Sequence, residues 1–165
     1  MIALRRATLD DVDFLTELYA DEETEPFLSD NASRSVAEAV QQSLDDPARC
    51  GRMIIEVDGE RAGVMGYDER TAVHRIAFLS GLAVHPAFRG RGVGEEAARQ
   101  LQTYLFDELG YHRLELACYG FNERAIRHSE RVGYVREGVK RKAYLRHGEW
   151  QDAVLFGLLR EDLEP

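Results

Sequence analysis

Leu82-Ala83-Val84-His85-Pro86, followed by Arg89-Gly90-Arg91-Gly92-Val93-Gly94, decides how this 165-residue chain is read. An apolar strand runs into a proline, then a basic, glycine-dense turn, then a helical pattern. Glycine lets the backbone turn sharply and approach a ligand closely. The first N–H groups of a helix have no partner one turn back and lie at its positive end, so they favour an anion. The stretch predicts an anion cradle; a plain strand-to-helix turn with solvated arginines is the alternative. It is not a Walker loop, because Val93-Gly94-Glu95 stands where Lys and Ser/Thr are required. Nor is it a dinucleotide fingerprint, since Gly90, Gly92 and Gly94 do not give the GxGxxG spacing.

Downstream, Val93, Ala97, Leu101, Tyr104, Leu105 and Leu109 recur at helical spacing, and Gly110 is a natural stop. Leu114 to Cys118 reads as a strand. Asn122 is placed to cap a helix ending at Gly133, with Ala125 and Ile126 inward. Tyr134 to Leu145 and Trp150 to Leu159 predict a final hairpin around His147-Gly148. Upstream, Arg75 to Val84 is a strand, and Met53 to Val57 and Ala62 to Tyr67 flank Asp58-Gly59, a strong hairpin signal. Ile2 to Arg6 is a first strand. Thr8 starts a helix bearing Val12, Leu15, Leu18 and Tyr19, which Pro26 and Ser29-Asp30-Asn31 end. A second helix runs from about Ser33 to Pro47. The order β-α-α-β-β-β-α-β-α-β-β implies one domain over residues 1–165 with a mixed sheet and helices on both sides.

Composition narrows the class. With 44% hydrophobic and 31% charged residues, the chain suits a soluble globular fold. No apolar run approaches a membrane span, and Met1 to Arg6 lacks the apolar segment of a signal peptide. Cys50 and Cys118 form no metal pair, so two reduced thiols, a cytoplasmic setting and no metal are expected. A net charge of −9 argues against a nucleic-acid partner. The charge is uneven: eight Lys/Arg lie between Arg124 and Arg146, while Asp10, Asp11, Asp13, Glu17, Asp21, Glu22, Glu23 and Glu25 crowd the N-terminal third. That polarity suggests an anionic ligand on the later half and a cationic one near the early half.

Three motifs carry a resemblance. Arg89-x-x-Gly92-x-Gly94 is similar to the Gln/Arg-x-x-Gly-x-Gly/Ala turn of the GNAT superfamily of acyl-CoA N-acyltransferases. Asn122 to Ile126, then Glu130-Arg131-Val132-Gly133-Tyr134 and Glu137-Gly138, resembles its Asn-x-x-Ala-Ile…Glu-Lys/Arg-x-Gly-Phe…Glu-Gly segment. Gly148-Glu149-Trp150-Gln151-Asp152 resembles its last-hairpin Gly-x-Tyr-x-Asp, a feature of the ribosomal-protein N-terminal and spermidine acetyltransferase branch. The resemblance spans nearly the whole chain. It implies a single α/β domain with a mixed, mostly antiparallel twisted sheet of about seven strands, splayed at the cofactor site and flanked by about four helices.

It also implies acetyl-CoA as co-substrate. The turn formed by Arg89, Gly90, Arg91, Gly92, Val93 and Gly94 would hold the pyrophosphate. Main-chain groups of Leu82 and Val84 would pair with the pantetheine arm as with an added strand. Asn122 would bond the arm from the far side, and Arg131 could meet the ribose phosphate. An amine attacks the thioester, the backbone N–H of Val84 holds the oxyanion, and an acid protonates the leaving thiolate. The family commonly has Tyr as that acid; here the matching position is Ser129. The strand before the glycine turn carries no carboxylate, so the base is open, with Glu115, His74, His128 or a held water as candidates. The acceptor expected is a primary amine: a protein N-terminus, a polyamine or an amino-containing small molecule. Glu22, Glu23 and Glu25 could bind a cationic one. A non-catalytic acyl-CoA-binding or regulatory module remains the alternative, and a homodimer through the apolar final hairpin is an open option.

Overall fold

A computed structural model describes residues 1–28 and 35–164. Its seven strands form one sheet in the order β1-β2-β3-β4-β5-β7-β6. They are β1 (Ile2–Arg6), β2 (Cys50–Val57), β3 (Glu60–Thr71), β4 (Ile76–Val84), β5 (Arg113–Tyr119), β6 (Val135–Arg146) and β7 (Glu149–Leu159). Four α-helices join them: α1 (Val12–Ala20), α2 (Val36–Asp45), α3 (Val93–Thr103) and α4 (Glu123–Arg131). The two expected tight turns are present. Asp58-Gly59 has φ values of 50° and 85°, and His147-Gly148 has 49° and 77°, the left-handed pair that a two-residue hairpin loop requires. The expected start of the second helix at Ser33 lies outside the described residues; α2 is capped by Ser35, whose Oγ accepts from the N–H of Glu38 at 3.1 Å.

Two apolar layers sandwich the sheet. On one face Leu15, Leu18 and Val40 of α1 and α2 pack on Ile54, Val64 and Ala83. On the other, Val93, Ala97 and Leu101 of α3 pack on Met53, Ile55, Leu79, Leu114 and Phe156. The helix expected to reach Leu109 stops being α-helical at Thr103 and continues as a wider π turn, Tyr104–Glu108. Leu105 and Phe106 of the wider turn are both in the core, 0% and 6% exposed.

Buried charge ties β1 to its surroundings. The Asp11 carboxylate is fully buried and accepts from Arg5 at 2.7 and 2.9 Å, from Arg61 Nε at 2.8 Å and from the Thr8 N–H at 2.8 Å. Arg6 donates to Ser43 Oγ at 2.9 Å, to the Cys50 carbonyl at 2.8 Å and to the Tyr67 hydroxyl at 2.7 Å. Much of the acid and base at this end is therefore internal scaffolding.

The sheet is splayed. β4 and β5, its one parallel pair, are joined at three positions only, Ile76–Arg113, Ala77–Leu114 and Phe78–Glu115. Beyond them β4 runs on to Val84 and β5 to Tyr119 without pairing each other. β4 is also bulged: Val64 faces Ala83 but Gly66 faces Ser80, an extra residue accommodated at Gly81, φ 69°.

Candidate active site

The opening between β4 and β5 ends at the glycine turn. Pro86–Phe88 forms one short helical turn, Gly90 and Gly92 take φ values of 78° and 72°, and α3 begins at Val93 with Gly92 as its N-cap. No L side chain adopts that backbone cheaply, which is why the stretch is glycine-dense. A Cβ built on Gly90 or Gly92 would meet nothing within 4 Å, so the space above the turn is open. The N–H groups of Val93, Gly94 and Glu95 face that end of α3 as its first, intrahelically unpaired donors. The residues present thus fit an anionic pyrophosphate.

Along β4, the His85 N–H bonds the Ala62 carbonyl at 2.7 Å, and Ala83 pairs with Val64. Alternation along a strand then turns the main-chain groups of Leu82 and Val84 away from β3, into the opening. An extended arm could add there as a strand, and the Val84 N–H is placed to meet a carbonyl oxygen.

Arg89 is used differently from the sequence expectation. Its Nε donates to the Val84 carbonyl at 3.0 Å, and its guanidinium donates to Glu23 at 2.8 Å and to Thr24 Oγ1 at 2.9 Å. The side chain is a clasp between the turn and the segment after α1, and it is not directed at a phosphate. Arg91 donates to the Ala87 carbonyl at 3.0 Å and lies over the Phe88 ring. What remains for an anion is the backbone.

The segment held by Arg89 crosses the end of the opening. Glu25 pairs with Arg146 at 2.7 Å and with His147 at 3.3 Å, at the tip of the β6–β7 hairpin. Phe27 meets Phe121 with ring centroids 6.1 Å apart, and Phe121 stacks on Tyr119 at 5.2 Å. Of the three glutamates expected to attract a cationic acceptor, Glu23 and Glu25 are thus ion-paired.

Asn122 caps α4: its Oδ1 accepts from the Ala125 N–H at 3.1 Å, which leaves its NH2 as a donor. Ser129 is 2% exposed; its hydroxyl donates to the Ala125 carbonyl at 2.8 Å and lies 3.7 Å from Cys118 Sγ. Its proton is already spent. We expect Ser129→Ala to keep its affinity for acetyl-CoA and lose less than about tenfold in kcat, since a general acid contributes on the order of 10²–10⁴-fold. A larger kcat loss at unchanged affinity would restore Ser129 as the acid. Glu115, at the closed end of the opening, is held by Arg113 at 2.9 Å and Arg70 at 3.7 Å. His74 precedes β4 at the opposite end from the glycine turn, roughly 25 Å away at the rise of an extended strand, too far to act as base. Arg131 is engaged by Glu95 at 2.6 Å. His128, which the sequence offers only as one base candidate among several, lies against the start of α3. Cys118 and Cys50 are both buried, and burial pushes the Cys118 thiol up.

Residues 12–134 match the acetyltransferase (GNAT) family, and the chain belongs to it. It is 35% identical over 83 residues to the uncharacterized N-acetyltransferase YokL of a Bacillus subtilis prophage, covering 50% of this chain and 47% of that protein. It is 30% identical over 103 residues to Escherichia coli spermidine N(1)-acetyltransferase, covering 62% and 55%. The matched stretch thus spans about half the length of these curated relatives. The fold superposes on the Vibrio cholerae spermidine N-acetyltransferase in complex with CoA and spermine with a TM-score of 0.84, at 20% identity, covering 98% of this chain and 96% of that one.

Proposed function

We propose that the chain transfers an acetyl group from acetyl-CoA to a primary amine by direct attack, through a tetrahedral intermediate. The carrying observation is the opening between β4 and β5, with the main chain of Leu82 and the N–H of Val84 leading to the exposed helix start at Gly92–Gly94. The backbone of that turn binds the pyrophosphate. The β4 edge orients the arm, and the Val84 N–H stabilises the developing oxyanion without reorganising. The segment 21–28, with Glu22 and the Phe27 ring that meets Phe121, flanks the acceptor's approach. A protein N-terminus, a polyamine and an amino-containing small molecule all meet those requirements.

Thermal unfolding with acetyl-CoA, and with ATP as control, tests the reading. Ligand at 100 times Kd stabilises by about 2.7 kcal/mol. For a domain of this size that is a Tm rise of roughly 5–10 °C. A rise with acetyl-CoA alone supports it, and thiol release with an amine panel then separates an enzyme from a binding module. No rise at millimolar acetyl-CoA refutes it.

A further inference from the structure

Packing α4 against the first turn of α3 places a titratable ring beside the anion cradle. A methyl group built on Gly94 would lie 3.6 Å from His128 Cε1, 3.6 Å from Val84 Cγ2 and 3.9 Å from Leu82 Cδ2. The imidazole, two β4 side chains and the start of α3 therefore converge on one spot at the mouth of the opening. Of the charged groups around the ring, α3 supplies Glu95 and Arg99, and α4 supplies Arg131. Glu95 and Arg131 bond each other at 2.6 Å. β4 contributes the apolar Leu82 and Val84, and the turn's Arg89 and Arg91 are engaged by Glu23 and by the Ala87 carbonyl.

Burial holds His128 below the ordinary imidazole value, Arg131 and Arg99 push the same way, and Glu95 opposes them. The positive end of α3 also disfavours a charged ring. The free protein therefore carries a neutral His128 at pH 7. A doubly negative pyrophosphate held over the α3 start, beside the spot where the ring meets Gly94, would act in the opposite direction. An opposite charge within about 4–6 Å raises such a pKa by roughly 1–3 units.

We propose that His128 takes up a proton when the cofactor binds at the glycine turn, and so acts as a positioning residue for the pyrophosphate. This rests on the acetyl-CoA reading above. The sign follows from linkage: the bound state holds the proton more tightly, so affinity rises as pH falls through the bound-state value. It levels off below the free-state value.

The test uses dephospho-CoA, which lacks the phosphate monoester that itself titrates near pH 6. Calorimetry at pH 7 in two buffers of different ionisation enthalpy counts the protons taken up. We expect uptake of a large fraction of one proton by the wild type. Its affinity should rise roughly three- to tenfold between pH 8 and pH 6. In His128→Gln both effects should vanish. The His128 Cε1–H resonance, followed through a pH series with and without dephospho-CoA, gives the same answer if the variant does not fold. Binding without proton uptake, uptake unchanged in His128→Gln, or a His128 resonance that titrates identically in both states overturns the proposal. Absence of any binding overturns it together with the acetyl-CoA reading.

Discussion

Asp11→Ala is expected to destabilise the fold by about 1–3 kcal/mol, the cost of leaving its hydrogen-bond donors without their buried acceptor. Against an ordinary domain stability of roughly 5–15 kcal/mol, that is a large share. The carboxylate is fully buried, and its loss removes the acceptor on which Arg5 and Arg61 converge from β1 and β3 and leaves the Thr8 N–H that opens the helical segment without its partner, while Arg5 keeps Glu56 at 2.6 Å. Denaturant titration reads the effect as a shift in midpoint at unchanged slope. The same site sets a pH dependence. The Arg5 and Arg61 guanidiniums and the Thr8 N–H hold the Asp11 carboxyl well below the usual carboxylate range, against the opposing effect of burial. A depressed folded-state pKa gives stability that is full above the unfolded value near 3.9 and is lost as pH falls below it. The wild type should therefore lose more stability between about pH 5 and pH 2 than Asp11→Asn does. Equal acid sensitivity of the two would remove Asp11 as its source.

Gly92→Trp should weaken acetyl-CoA binding by at least about 100-fold, or about 2.7 kcal/mol. Gly92 caps α3 at φ 72°, where a residue with a Cβ is strained, and the indole would fill the space above the first donors of the helix. The change sits on an open surface, so the fold should survive it. Circular dichroism and equilibrium binding on the same sample separate the two effects. Unchanged affinity in a folded variant would move the anion site off this turn.

The sequence made the architecture legible because its signals were local. Asp58-Gly59 and His147-Gly148 announce their hairpins through residues that tolerate positive φ, and Ile2–Arg6 coincides with the first strand. What escaped reading depends on partners distant in the chain. β3 continues through the polar Asp68-Glu69-Arg70, because Arg52 pairs with Asp68 at 3.2 Å and Arg75 with Glu69 at 3.1 Å. No strand propensity marks those three residues. The bulge at Gly81 and the π turn at Tyr104 answer to packing across the sheet, which no local pattern encodes. At the site, the glycines made the turn legible, since their conformation is a property of the turn itself. The side-chain partners of Arg89 were hidden for the complementary reason: Glu23 and Thr24 lie more than sixty positions away, and proximity to glycines was the only sequence clue.

The three-position junction between β4 and β5 has a consequence for what can enter the molecule. Past it, Leu79–Val84 and Leu116–Tyr119 are two unfinished borders facing one another, and in an ordinary sheet such borders recruit any extended peptide. Here α3 and α4 stand over one face of the gap and the 21–28 segment closes its end. A polypeptide strand carries side chains alternately to both faces of the sheet. A slender, unbranched chain with amide groups at intervals meets the same borders without that bulk. The splay that forms the opening is thus also what leaves two sheet borders without a partner strand, and an occupant with amide groups would complete both at once.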